Sequence, residues 1–176
     1  MKKEIVPPNQ DVQDKIFKKI QSEIKNPNLA VLNFISEIIL FSSTINTSFD
    51  LYFSRFNLSQ PGFLTLMILY SESEIPWTAN LLSKELGVKP PTMTGILDTL
   101  AKNDLIERIP SENDRRVTNI VLSKSGKDQL KKILPEHVSN ISHSFGWYET
   151  KSHKQISKHL ELILNSMSQL ISRQGK

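Results

Sequence analysis

At 176 residues and 38% hydrophobic, the chain is long enough for one real core and short for two large ones. A formal net charge of +4 suits a nucleic-acid partner without requiring one, and the lack of cysteine excludes disulfides, thiolate metal sites and cysteine redox sensing. No apolar run reads as a membrane span and MKKEIVPPNQ lacks the apolar region of a signal peptide, so the expected location is cytoplasmic.

Residues 1–10 carry charges and two prolines without periodicity and read as a loose arm. From Asp11, Val12, Ile16, Ile20 and Ile24 recur every fourth position, which predicts an amphipathic helix ended by Asn26-Pro27. A longer helix is predicted from about Asn28 to Phe56. Its apolar residues, among them Leu32, Ile35, Ile39, Phe41, Phe49 and Phe53, cover most of its circumference, so it needs neighbours on several sides and implies a second subunit. Ser59 caps the next helix, whose expected core face is Phe63, Leu64, Met67 and Ile68. Glu74 to Trp77 is extended and is a candidate third strand.

Thr78 to Leu122 is the organising stretch. Thr78 is an N-cap, Leu81, Leu82 and Leu86 fall at helical spacing, and Gly87 closes the helix. Gly87-Val88-Lys89 is a turn of helix-turn-helix length. A second helix is predicted from Pro91 to about Asn103, burying Met93, Ile96, Leu97 and Leu100. Its opposite face carries Pro91, Gly95, Asp98, Thr99 and Lys102, with Thr92 and Thr94 on its flanks, a surface short-chained apart from Lys102 and able to lie in a major groove about 12 Å wide. Residues 105–110 and 117–122 are β-prone and flank the polar turn 111–116, which predicts a hairpin with Arg115 and Arg116 at its tip. Arginine there suits a minor groove. Lys84, Lys89, Lys102 and Lys124 are collective candidates for phosphate contact.

Helix, turn, helix, then Leu105-Ile106-Glu107-Arg108, Asn113-Asp114-Arg115-Arg116 and Leu122-Ser123-Lys124-Ser125-Gly126 resemble the winged helix of the multiple-antibiotic-resistance regulator (MarR) family. Asp114, Arg116, Leu122 and Gly126 match its Asp-x-Arg and Leu-Thr-x-x-Gly patterns, with Ser123 for Thr. The resemblance implies a mainly α fold with a small β-hairpin wing, in which the winged helix-turn-helix (58–127) lies between N-terminal (1–57) and C-terminal (128–176) dimerisation helices. It implies a transcriptional regulator, most often a repressor, with Pro91 to Asn103 as recognition helix. By the same resemblance Arg116 would reach the minor groove, and Asp114 would brace the wing by pairing with a basic side chain. It also implies a small phenolic or lipophilic effector in a crevice that Phe49, Phe53, Phe63 and Met67 would line, residues that otherwise fill the core. The chain departs from the family in having Gly95 and Thr99 where an arginine is common, and Asn103-Asp104 where glycine usually turns the chain.

Beyond the hairpin, Ser123 caps a helix through Leu130, Ile133 and Leu134, which Pro135 kinks or ends. After a break at Gly146, a last helix over about 151–172 carries Ile156, Leu160, Ile163, Leu164, Met167, Leu170 and Ile171 on one stripe. Such terminal stripes fit a two-fold homodimer, whose paired recognition helices would match a palindromic DNA operator. His137, His143, His153 and His159 miss the helical i, i+4 pairing of a zinc site, and Trp147 and Tyr148 read as packing residues. No phosphate loop, nucleophile elbow or paired carboxylates appear, so neither an enzyme nor a cofactor is expected. The alternative function is a winged-helix protein-interaction module that never meets DNA. The dimerisation domain of an enzyme lacking its catalytic half is more remote.

Overall fold

A computed structural model describes residues 8–111, 114 and 116–172. The chain divides into two compact units that meet between Leu130 and Lys131. In the first, α1 (Gln10–Glu23) and α2 (Leu29–Ser54) each begin at an asparagine. The Asn9 and Asn28 carboxamides accept the amides of Val12 and Val31, satisfying donors that a helix start leaves free. Gln13 Nε2 donates to Asn33 Oδ1 at 3.0 Å and ties α1 to α2.

Among the described residues of α2 only Phe53 is buried, and Phe41 is 62% exposed. The helix presents its grease outward rather than burying it within one chain. By length and composition it also passes for a membrane-spanning helix, which corrects the reading that no such run exists. That reading failed because single polar residues interrupt the run, whereas a span tolerates scattered serines, threonines and asparagines.

Next come α3 (Gln60–Ser71), α4 (Ala79–Glu85), α5 (Pro90–Lys102), and the antiparallel strands β1 (Ile106–Pro110) and β2 (Thr118–Leu122), paired from Ile106 with Leu122 to Pro110 with Thr118. Ser59 caps α3 by accepting the Gly62 amide. The buried face of α3 is Gly62, Phe63, Thr65, Leu66 and Leu69; Leu64 is exposed, and Met67 and Ile68 are half-buried. Buried Thr65 costs little, because its hydroxyl donates to Pro61 O at 2.8 Å.

Leu66, Leu82, Met93, Leu97 and Leu100 form the centre of this unit's core, closed by Leu105, Ile106 and Ile120 from the hairpin. Truncating any one of the central leucines should cost about 2–5 kcal/mol. The sheet has two strands among the described residues, so residues 74–77 supply no third strand. They contribute one backbone bond, from the Ile120 amide to Trp77 O at 2.7 Å.

Helix α6 (Lys124–Ser144) runs through Pro135 without ending there, and α7 (Thr150–Ser172) follows a turn around Gly146. Among the described residues α7 buries nothing, and Leu164 and Ile171 on its apolar stripe are 67% and 72% exposed.

Candidate nucleic-acid interface

The turn between α4 and α5 is pinned from both sides. Thr78 Oγ1 accepts the Leu81 amide at the start of α4. At its end Gly87 has φ of +63°, the left-handed backbone that glycine adopts without penalty. Ser83, a buried residue not singled out from sequence, donates its hydroxyl to Val88 O at 2.9 Å, while the Val88 amide returns to Ser83 O at 3.0 Å. Of the three leucines at helical spacing, Leu82 is buried and Leu81 is exposed, because α4 is only seven residues long and turns just one side inward.

Helix α5 starts one residue earlier than expected, at Pro90, with Lys89 as N-cap. Lysine cannot accept an amide proton and makes no capping bond. Two prolines in the first turn reduce the need for one, since neither carries an N–H. Met93, Leu97 and Leu100 are buried and Ile96 is half-buried. Lys89, Pro91, Thr92, Thr94, Gly95, Thr99 and Lys102 are all exposed, as the helical period requires. The hydroxyls of Thr94 and Thr99 donate back to Pro90 O at 3.1 Å and Gly95 O at 2.9 Å.

After α5 the chain reverses in the Asn103-Asp104 turn, with Asp104 at φ of +56° and Asn103 at −94°. The Leu105 amide bonds back to Leu100 O and launches β1. From β1, Arg108 Nη2 reaches Asp98 Oδ1 on α5 at 2.6 Å, a pair that sequence spacing does not reveal.

At the hairpin tip the Asp114 carboxylate accepts the Arg116 amide at 2.9 Å, and the Val117 amide bonds to Asp114 O at 2.9 Å. Asp114 thus braces the turn through backbone, and among the described residues it enters no ion pair with a basic side chain. Arg116 is exposed; Arg115 lies outside the described residues.

The hairpin is anchored at its base by Ser123, which donates to Asp104 O at 2.6 Å and accepts the Gly126 amide at 2.9 Å. A Cβ on Gly126 would collide with Leu105 O and lie 2.8 Å from Leu122 Cδ1, which is the physical reason glycine stands there.

Of the four candidate effector residues, Phe53 and Phe63 are 2% and 4% exposed and stack with centroids 4.5 Å apart. Phe49 adds a third ring at 6.2 Å from Phe53, and Met67 is half-buried. Within the second unit Trp147 is 70% exposed, with the rings of Phe145 and Tyr148 centred 6.3 and 6.2 Å from its own. Burial lowers the pKa of His137, and among the described residues no His, Asp and Glu cluster could hold a metal ion.

A helix-turn-helix followed by a hairpin with an exposed arginine in its tip defines a winged helix-turn-helix protein. Residues 58–118 match the model of the MarR family, and over them the chain carries a MarR-family domain, as the resemblance in its motifs implied. The transcriptional repressor YetL of Bacillus subtilis is 34% identical over 101 residues, covering 57% of this chain and 60% of YetL. The regulator MgrA of Staphylococcus aureus is 37% identical over 90 residues, 51% of this chain and 56% of MgrA. The chain thus spans about three-fifths of the length of these curated relatives, which are named as transcriptional regulators and not as enzymes. The MepR–DNA complex of S. aureus shares the fold with a TM-score of 0.63 at 21% identity, over 76% of this chain and 96% of MepR. A MarR regulator from Methanosarcina mazei does so at 0.59 and 20%, over 78% and 99%.

Proposed function

We propose that this protein is a homodimeric DNA-binding transcriptional regulator, acting as a repressor from the cytoplasm on a palindromic operator. The observation that carries the reading is the exposed, short-chained face of α5 set beside an exposed Arg116 in a braced turn, within a MarR-family domain. The α5 face enters the major groove, Arg116 and its neighbour Arg115 the flanking minor groove, and Lys89 and Lys102 meet phosphates. A two-fold pair presents two such faces about 34 Å apart, one helical turn of DNA. Residues 1–57 and 128–176 supply the dimer contacts. The outward apolar surfaces of α2 and α7 support this, and their burial in the dimer accounts for α2 without a membrane.

Repression is relieved when a small phenolic or lipophilic effector changes the separation of the two α5 helices. Its site is the aromatic layer of Phe49, Phe53, Phe63 and Met67. Because Phe53 and Phe63 are stacked ring on ring, the effector must part them, and it binds only as tightly as that disruption permits.

The test is a salt series of gel shifts on the DNA upstream of the protein's own gene. Binding that weakens with slope near −0.9 per phosphate contact supports the reading. A folded dimer that binds no DNA at low salt favours a protein-interaction module instead.

A further inference from the structure

We propose that the turn between α6 and α7, together with the first turns of α7, is a docking surface for an anionic phospholipid bilayer. The inference goes beyond the DNA-binding reading and uses none of the residues that carry it.

Charge sets the second unit apart. Residues 131–176 hold seven of the 22 Lys and Arg and three of the 18 Asp and Glu, so this unit carries the chain's whole net charge of +4, and residues 1–130, with fifteen of each, are neutral. The excess therefore lies outside the helix-turn-helix and the hairpin. Three of its cations, Lys151, Lys154 and Lys158, are exposed on α7 at spacings of three and four. At about 100° per residue they share a strip about 60° wide, opposite the apolar stripe centred on Leu160 and Met167. When that stripe is buried against a second copy, the lysines face outward.

Their position works against the helix. The N-terminal end is the positive pole of the helix dipole, where cations destabilise, and the first turn holds no acidic residue. Lys151 meets Glu149 at 2.7 Å, but the side chains are 83% and 59% exposed and the pair contributes little. Among the described residues Lys154 and Lys158 enter no ion pair, and neither does Glu161, the one acidic residue of α7. Outward charges that folding does not use are available to an anion outside the chain.

Directly ahead of the lysines stand three aromatic rings. Phe145, Trp147 and Tyr148 are 50%, 70% and 40% exposed. The turn holds them in place: Phe145 O accepts the Tyr148 amide at 2.8 Å, and the Tyr148 hydroxyl is hydrogen-bonded to His153 Nδ1. Rings with an apolar body and a polar tip, beside lysines with apolar stems and charged heads, are the groups that settle where lipid meets water. Duplex DNA would take the lysines and leave the rings in water, since its own bases are stacked on one another. A folded protein would need a pocket shaped to three rings standing on a turn, whereas a bilayer accepts them in any arrangement. Its anionic headgroups complement the lysines.

The experiment is sedimentation of the full-length protein with vesicles of phosphatidylglycerol and phosphatidylcholine in equal parts, and with vesicles of phosphatidylcholine alone. Binding should require the anionic lipid and weaken with salt. Lys154→Gln and Lys158→Gln should each weaken it about fivefold, without lowering the unfolding midpoint or the affinity for DNA. On binding, tryptophan emission should move to shorter wavelength and be quenched by brominated lipid, a signal that Trp147→Phe removes because Trp77 is already buried. No binding to either vesicle, equal binding to both, or lysine variants that bind as the parent does overturns the inference. So does a Trp147 shielded from acrylamide in the lipid-free protein, which assigns the turn to contact with a second copy. Capture by polyglutamate with vesicles left unbound overturns it in favour of an acidic protein, and DNA affinity lost in the lysine variants overturns it in favour of nucleic acid. Each of these outcomes leaves the DNA-binding reading standing.

Discussion

Arg108 on β1 grips Asp98 on α5 through Nη2 and Oδ1 at 2.6 Å, spanning ten residues of chain and the corner at Asp104. The pair neutralises a carboxylate on the face proposed to meet DNA. Its side chains are 42% and 57% exposed, so its contribution to folding is small, below about 1 kcal/mol.

Arg108→Ala should therefore leave the unfolding midpoint nearly unchanged while weakening DNA binding by roughly fivefold, about 1 kcal/mol from an uncompensated charge near phosphates. Adding Asp98→Asn should restore most of the affinity. A titration of both variants against one duplex checks this, and equal affinities for the single and double variants would contradict it.

Arg116→Ala should weaken binding and lower the magnitude of the salt slope by about 1, one phosphate's worth of released counterion. Asp114→Ala removes the acceptor for the Arg116 amide and should give a smaller loss with the slope retained, because the charge remains but the turn that aims it is slack. Plotting log affinity against log salt for the two variants separates charge from aim.

Gly126→Ala drives a methyl into the carbonyl of Leu105 and should destabilise the protein by about 1–3 kcal/mol. Chemical denaturation measures it. Gly95 provides the opposite case within the same domain, open space around a helical glycine, so the two alanine substitutions should shift stability in opposite directions.

Leu160 and Leu164 on α7 are 52% and 67% exposed in a single chain. A Leu164→Glu substitution would be nearly silent in a monomer. In the proposed homodimer it buries a charge at the interface, so sedimentation should show dissociation, with DNA affinity lost alongside.

Much of this architecture is legible in the residues because local rules dominate it. The caps at Ser59 and Thr78, the left-handed Gly87 and the two faces of α5 follow from hydrogen-bond bookkeeping and a 3.6-residue period. The misses have a different origin. Leu64 is apolar yet exposed, whereas Thr65 and Ser83 are polar yet buried. Burial there is decided by which elements pack on α3 and α4, and each hydroxyl is satisfied by a carbonyl four or five residues away. The Asp98–Arg108 pair depends on the corner at Asp104, where aspartate rather than asparagine takes the strained conformation. In the proposed interface the identity of the outer face is readable, but the bonds of the Thr94 and Thr99 hydroxyls back to Pro90 O and Gly95 O are not.

The buried hydroxyl of Ser123 has both its donor and its acceptor occupied, by Asp104 O and the Gly126 amide. One oxygen atom therefore rivets the elbow behind α5 to the root of α6. The first turn of α6 and the corner that follows α5 are thereby held at a single point at the foot of the hairpin. A threonine would keep the rivet; an alanine would leave only the backbone bond from the Ser123 amide to Leu105 O to hold the two together.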